Sequence, residues 1–377
     1  MICIKKVVLR EVVLDLKEPF QISSGTITQR RVFVVEVENS DGIIAHSECV
    51  AKGMPNYSPE TIDTAWIILR DWIIPQVLDK AFESPQSLID HINSTVRGNN
   101  MAKAAIEMAA WLIIAIQKNV SLASLIGGTR EKIETGVSLG IQESPDELVH
   151  KVKRSINEGY RKIKIKIKPG YDVQYLTAVR AECPDACIMA DANSAYTLND
   201  IALLQSFDEL NLLMIEQPLE WDDVSKHSQL INQLKTPVCL DESITSYSQA
   251  LAAIHCKSAD IINIKPGRVS GFTDSLAINK LCEEHNIPVW CGGMLESGIG
   301  RAYNVALASL ANFSLPGDLS PSQRYWKEDI VSPEWEMDKE GYMSVPFDKV
   351  GLGVSVKTDM IKEQAVRTEV CETIKVI

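Results

Sequence analysis

Apolar and polar residues alternate through the first fifty or so residues, in runs such as Val32 to Glu38, and the turn signal Asn39-Ser40-Asp41-Gly42 separates two of these runs. Successive strand side chains point to opposite faces, so a period of two predicts an antiparallel sheet. After Pro59 the period changes. Through ETIDTAWIILRDWIIPQVL and MAKAAIEMAAWLIIAI, as far as about Ile116, the apolar spacing is helical, with Asn100 placed to cap the second helix. Strands followed by helices predict an α+β domain over residues 1–125.

Beyond Gly127-Gly128, short β-branched runs alternate with amphipathic helices: GVSLGI, KIKIKI, CIMADAN, LLMIEQP, PVCLDES, IINIKPG and PVWCGG. Most of these runs are apolar until they reach a charged residue, then break into a loop. The steps between the end residues are 25 from Lys166 to Asp191, 25 to Glu216, 25 to Asp241 and 24 to Lys265. A βα unit repeated at that interval predicts a parallel α/β barrel over residues 126–322. Residues 323–377, with Trp326, Pro333 and Trp335, are less regular and are expected to return and brace the first domain.

Composition narrows the function classes. The 377 residues leave room for a barrel of roughly 250 residues plus a further domain. The formal net charge of -12 argues against a nucleic-acid partner, which requires clustered Lys and Arg in excess. The amino terminus alternates where a leader would be continuously apolar, and the Ala104 to Ile116 stretch carries Glu107 and falls short of the roughly 20 residues that cross a bilayer. No membrane partner is expected. Nine scattered cysteines without a CxxC pair are expected to be reduced core residues of a cytoplasmic protein.

Strand carboxyl ends form the active face of a parallel barrel. Any one of Asp191, Glu216 and Asp241 reads equally well as a helix N-cap. Three at successive strand ends and matched depth, only ~4.8 Å apart, would repel one another without a cation among them. An all-oxygen set suits Mg²⁺, with Mn²⁺ as substitute. Lys162, Lys164, Lys166 and Lys168 alternate with isoleucines and share one face. On an exposed edge they would guard against strand pairing. In a barrel covered by helices the isoleucines face outward and the lysines inward, which makes Lys164 and Lys166 the interior pair, Lys162 a solvated end and Lys168 a loop residue. Crowding by a second ammonium and a divalent cation is expected to lower a lysine pKa toward the working range of a base. Lys265, on a later strand, is expected to face Lys166 across the barrel mouth; its other reading is a counter-ion to Asp241 or Glu242. These parts suit removal of a proton next to a carboxylate.

The series Lys-x-Lys, Asp-x-Asn, Glu-Gln-Pro, Asp-Glu-Ser and Lys-Pro-Gly-Arg, together with PFQISSGT, YSPET, MAKAAIEMAAW, SLASLIGGTR and PVWCGGMLESGIGRA, resembles the enolase-superfamily branch of o-succinylbenzoate synthases and N-succinylamino acid racemases. The resemblance covers most of the chain. It implies a modified (β/α)7β TIM-type barrel with an α+β capping domain. It implies Lys166 as general base tuned by Lys164, Asp191, Glu216 and Asp241 as Mg²⁺ ligands, Asn193 beside them, and Lys265 on the opposite face of the substrate. Ser138, Gly293 and Met294 match pocket-lining barrel positions, and Phe20 and Tyr57 match the closing cap. It further implies dehydration in menaquinone biosynthesis, with racemisation of N-acylamino acids, or both activities in one site, as the alternative, a small carboxylate substrate and assembly as a homo-oligomer. Glu296 and Arg301 are expected to hold loop structure. Leu112 stands where relatives often carry Asp, a departure outside the proposed site. A Schiff-base aldolase on the same barrel is the competing enzyme class.

Overall fold

The computed structural model describes residues 1–22 and 25–373; Ser23 and Ser24 of the PFQISSGT motif and residues 374–377 of the carboxyl-terminal segment lie outside this range. The early alternation forms three antiparallel strands, β1 (Ile2–Ile22), β2 (Gly25–Asn39) and β3 (Ile44–Cys49). Asn39 makes the turn into β3 by accepting the backbone N–H groups of Asp41 and Ile43 on its side-chain oxygen, at 3.0 and 2.9 Å. The strand Ala365–Glu372 pairs antiparallel with the other edge of β1. Three principal helices cover the sheet: α1 (Ile62–Ile68), α2 (Pro85–Thr95) and α3 (Asn100–Gln117). Phe33 of β2 stacks on Trp66 of α1 with ring centres 4.9 Å apart.

Asn100 does not cap α3. Asn99 holds the cap position, and Asn100, inside the first turn, donates from its amide to the carbonyl of Thr245 in the barrel. The free N–H groups of Met101 and Ala102 are satisfied instead by Glu60. A carboxylate from a distant loop does what the local cap signal promised, because a helix start needs any well-placed anion.

Seven parallel strands follow one another around a curled sheet: β4 (Gly136–Leu139), β5 (Lys162–Lys166), β6 (Ile188–Asp191), β7 (Ile215–Glu216), β8 (Val238–Leu240), β9 (Ile261–Ile264) and β10 (Val289–Cys291). Residues 317–320 bridge the gap between β10 and β4: the Asp318 N–H donates to the Cys291 carbonyl at 3.0 Å, the Ser320 hydroxyl donates to the Gly136 carbonyl at 3.1 Å, and Gly317 pairs with Thr135. Outside, Ile163 and Ile165 pack against Leu148 and Val152 of α4 (Pro145–Asn157) and Leu176 and Val179 of α5 (Val173–Glu182). Each buried isoleucine is worth about 1.5–3 kcal/mol, which orients the strand and forces its lysines inward. Met189, Met214, Cys239, Ile261 and Trp290 form a separate apolar cluster beneath them.

Two buried glutamates fasten the amino-terminal domain to the barrel. Glu107 of α3 accepts the first N–H groups of α6 (Phe272–Glu284), and Glu48 of β3 accepts those of Ser297 and Gly300 at the start of α7 (Gly298–Ala308). Leu112 is buried on α3 and lies against Gly351. No helix among the described residues is long and apolar enough to cross a membrane. All nine cysteines are free; five are buried, whereas Cys187 and Cys256 are exposed and Cys3 and Cys371 are half-buried, so the expectation of core cysteines holds only for the five.

Candidate active site

Strand register sets the heights of the charged residues. Lys166 pairs with Asp191 and Asp191 with Glu216, but the residue level with Glu216 on β8 is Cys239. Asp241 therefore lies two residues further along its strand than matched depth would place it. Asp241 is in turn two residues short of the height of Lys265, because Cys239 pairs with Ile261. Strands of a barrel are tilted, so side chains that share one layer across the axis must step along the hydrogen-bond register.

The lysine run is buried from its start. Lys162, expected at a solvated end, is 0% exposed; its ammonium lies 3.5 Å from the centre of the Trp290 ring and 3.2 Å from Asp318. The cation–π face and the carboxylate together compensate a charge that neither strand end exposes to water. One layer up, the Lys164 ammonium lies 2.7 Å from Asp191, 2.7 Å from Glu216 and 3.1 Å from Asp318. Lys166 donates to Asp191 at 2.6 Å and to Asn193 at 2.7 Å, and the Asn193 amide donates to Glu242 at 2.7 Å.

Across the mouth, Lys265 donates to Asp241 at 2.7 Å and to the Tyr57 hydroxyl at 3.0 Å. Arg268 also bonds Asp241 and reaches the same hydroxyl at 3.1 Å. Asn263 donates to Glu216 at 2.9 Å. Gly292 makes room for Lys265, since a Cβ there would stand 2.5 Å from the lysine Cε. The counter-ion reading of Lys265 is thus a fact of this geometry, and it leaves the ammonium on the cavity wall.

These ion pairs raise Lys164 and Lys265, against the direction expected of a crowded lysine. Burial alone would lower Lys164, but Asp191, Asp318 and Glu216 hold it well above its ordinary value. Burial opposes Lys265 in the same way and is overcome by Asp241, so Lys265 is raised too. Burial pushes Glu216 up to about 8 and Glu242 to about 7, whereas Asp241, also buried, is lowered because Lys265 and Arg268 outweigh the desolvation. The expected depression was for a lysine beside a divalent charge, and the nearest charged neighbours of Lys164 and Lys265 are carboxylates.

Among the described residues no three His, Cys, Asp or Glu side chains stand together as a ready metal site. Lysine ammonium groups lie between the carboxylates instead. The donor chemistry nevertheless fits a hard divalent cation. Asp191 and Glu216 already share one cationic point, each 2.7 Å from the same ammonium, and Asp241 ends the next strand.

A cavity of about 60 Å³ lies above these groups, walled by Lys164, Lys166 and Lys265. Phe20, Tyr57, Ser138, Asn193, Gly293 and Met294 line the same cavity, so all six residues expected around a substrate are brought to one place. The buried Ser138 hydroxyl has no hydrogen-bond partner among the described residues. Arg301 also lines the cavity, donates to the Asp318 carbonyl at 3.1 Å and lies 3.6 Å from Glu296, a loop-holding arrangement. Sequence reasoning passed over Asp318, Trp290 and Lys52, all at or beneath this cavity. Asp318 sits in PGDLSPS, which carries no strand period, and Lys52 in a loop with no motif; the PVWCGG run was the available signal for Trp290.

A capped parallel barrel whose strand ends carry lysines and carboxylates around one cavity defines a class of barrel enzymes that act on small carboxylates. Residues 147–360 match the family profile "Enolase C-terminal domain-like", and residues 4–127 match "Mandelate racemase / muconate lactonizing enzyme, N-terminal domain". The chain belongs to the enolase superfamily. It is 47% identical over 353 residues to an o-succinylbenzoate synthase of Geobacillus kaustophilus, covering 94% of this chain and 93% of that one. It is 43% identical over 354 residues to an N-succinylamino acid racemase of Thermus thermophilus, covering 94% and 95%. A crystal structure of an enolase-superfamily member from Listeria innocua superposes with a TM-score of 0.94 at 38% identity, covering 99% of this chain and 100% of that one. Members of this superfamily generally use Mg²⁺.

Proposed function

We propose that this protein is an o-succinylbenzoate synthase, dehydrating 2-succinyl-6-hydroxy-2,4-cyclohexadiene-1-carboxylate to o-succinylbenzoate in menaquinone biosynthesis. The observation that carries the reading is the pair Lys166 and Lys265 on one cavity, four strands apart in the sheet order, with Asp191, Glu216 and Asp241 ending the strands between them. The 47% identity to a synthase over nearly the whole chain supports the same substrate.

In this reading Lys166, as the free amine, takes the proton α to the carboxylate at its Nζ, and the C–H electron pair moves toward that carboxylate. The same ammonium returns the proton to the departing hydroxyl, so the C–O bond breaks and water leaves. Asn193 and Asp191 fix the direction of the Lys166 Nζ. Lys265, fixed by Asp241 and Tyr57, offsets the developing negative charge as a cation. The unpartnered Ser138 hydroxyl is free to hold a substrate oxygen. Mg²⁺, or Mn²⁺ in its place, would be held by Asp191, Glu216 and Asp241 and would supply positive charge against the substrate carboxylate when bound.

A second reading, racemisation of N-succinylamino acids, is favoured by the placement of Lys265 itself. Two amines on opposite walls suit removal of a proton on one face and its return on the other, and the 43% identity to a racemase supports it. Dehydration of the cyclohexadiene, and deuterium incorporation into N-succinylamino acids, separate the two. Lys166→Ala should lose about 10²–10⁴-fold in either reaction. Lys265→Ala should do the same in racemisation. Absence of both reactions in the Mg²⁺-loaded protein would overturn the substrate assignment.

The exposed free thiols Cys187 and Cys256 support a reducing, cytoplasmic compartment. Exposed Ile67, Trp72, Val366 and Val370 on the amino-terminal domain and its added strand support self-association, which sedimentation tests directly.

A further inference from the structure

The cavity above the lysines holds about 60 Å³, well short of the roughly 300 Å³ and more that small-molecule sites enclose. A second cavity of about 310 Å³ adjoins it, lined by the first residues of β2 and the loop after β3. The two share Ile27, Lys52, Met294 and Leu295. The larger cavity gives the remaining atoms of a substrate whose α-carbon reaches Lys166 room beyond these four residues. Three of them are apolar and one is a cation.

Lys52 is held in place although it lies in a loop. Its carbonyl accepts the Ile62 N–H at 2.8 Å, and the preceding carbonyls of Val50 and Ala51 accept the buried Arg30 guanidinium at 2.9 and 2.7 Å. Its half-buried ammonium has no carboxylate partner among the described residues, in contrast to Lys162, Lys164, Lys166 and Lys265, each of which has one; it lies 4.6 Å from the centre of the Tyr57 ring. Burial, and then the neighbouring charges of Lys166 and Lys265, push Lys52 down to about 7. A cation at the neck between two cavities, with no carboxylate in contact among the described residues and repelled by two others more than it is attracted by Glu242, is a place where an arriving anion relieves repulsion among like charges.

We propose that Lys52 is the distal anion-binding residue of this pocket, pairing with a second carboxylate that the substrate carries several bonds from its reacting carbon and thereby selecting dianionic over monoanionic substrates. The assignment rests on the reading of a substrate held by its α-carboxylate at the barrel mouth, and it adds which further group of that substrate is recognised and by what.

N-succinylphenylalanine and N-butyrylphenylalanine test it, since they differ by a carboxylate in place of a terminal methyl. Binding of each is measured by calorimetry on the Mg²⁺-loaded wild type, Lys52→Met and Lys52→Arg, and α-proton exchange in D₂O is followed alongside. The wild type should bind the succinyl compound about 10–100-fold more tightly, the scale of one desolvated charge pair. Lys52→Met should erase that preference while changing butyryl binding less than about threefold, and Lys52→Arg should restore most of it. Equal binding of the two compounds by the wild type, binding of neither, or an equal loss of both in Lys52→Met overturns the assignment. Exchange without a Lys52-dependent preference overturns it and spares the catalytic reading; a Lys52-dependent preference without exchange or dehydration does the reverse.

Discussion

Glu107 offers the sharpest test of how the two domains are joined. Its carboxylate is 0% exposed and accepts the backbone N–H of Phe272 at 2.8 Å, the N–H of Thr273 at 2.9 Å and the Trp111 indole N–H at 2.6 Å. Glu107→Ala removes an N-cap, worth about 1 kcal/mol, and strands buried donors at about 1–3 kcal/mol each. The expected loss is ~3–5 kcal/mol, in the range for breaking a buried network. Burial pushes the Glu107 carboxyl up to about 7, above its unfolded value near 4.5. A carboxyl raised on folding contributes stability that is fully present below the unfolded pKa and is lost as pH rises through the folded one. Over that window the loss is about 3 kcal/mol, at 1.36 kcal/mol per pKa unit. Glu107→Gln does not titrate, so it should match the wild type within ~1 kcal/mol near pH 5 and gain about 3 kcal/mol on it by pH 8. Urea unfolding followed by tryptophan fluorescence from pH 5 to 8 measures both effects. An alanine variant as stable as a surface substitution, within ~0.5 kcal/mol, would refute the capping role. A Glu-to-Gln difference that stays flat with pH would refute the buried charge.

Gly271→Ala attacks the same joint from the other side: φ is +112° there and a Cβ would stand 2.0 Å from the Glu107 carboxylate, so a loss of at least ~2 kcal/mol in the same unfolding assay is expected. Asp318→Asn removes the counter-charge of fully buried Lys162, with an expected cost of ~3 kcal/mol. Adding Lys162→Met to it should recover about half of that cost; a double variant no more stable than the single one would show that the charge pair is not the cause. Dialysis against EDTA should abolish turnover and Mg²⁺ should restore it, with Mn²⁺ binding by electron paramagnetic resonance lost in Glu216→Ala. Activity that persists without divalent cations would remove the metal from the proposal.

The local pattern carried the architecture. A period of two, then a helical period, then a βα unit every 25 or so residues, specified a capped barrel, because each period fixes which face an element must bury. The same pattern placed Asp191, Glu216 and Lys265 at or just past strand ends and turned Lys164 and Lys166 inward once the isoleucines were assigned to the helix-covered face. It failed for Lys162, since a lysine at a strand start looks solvated until Trp290 and Asp318, more than a hundred residues away, are folded beneath it. It failed for Asn100 because the first free N–H groups of the helix go to Glu60, 41 residues before Met101. Glu107 meets Thr273 across 166 residues and Lys265 meets Tyr57 across 208.

The sequence by itself therefore determined the order of elements, the faces they bury and the types of charged residue at the strand ends, all of which follow from backbone periodicity and the removal of apolar surface from water. Only the tertiary structure decided which carboxylate faces which ammonium, that Asp241 sits a step beyond Glu216 in register, and that Lys52 comes to the wall shared by the two cavities. Charge pairing depends on separations of a few ångströms between segments far apart in the chain, and no local period encodes that distance.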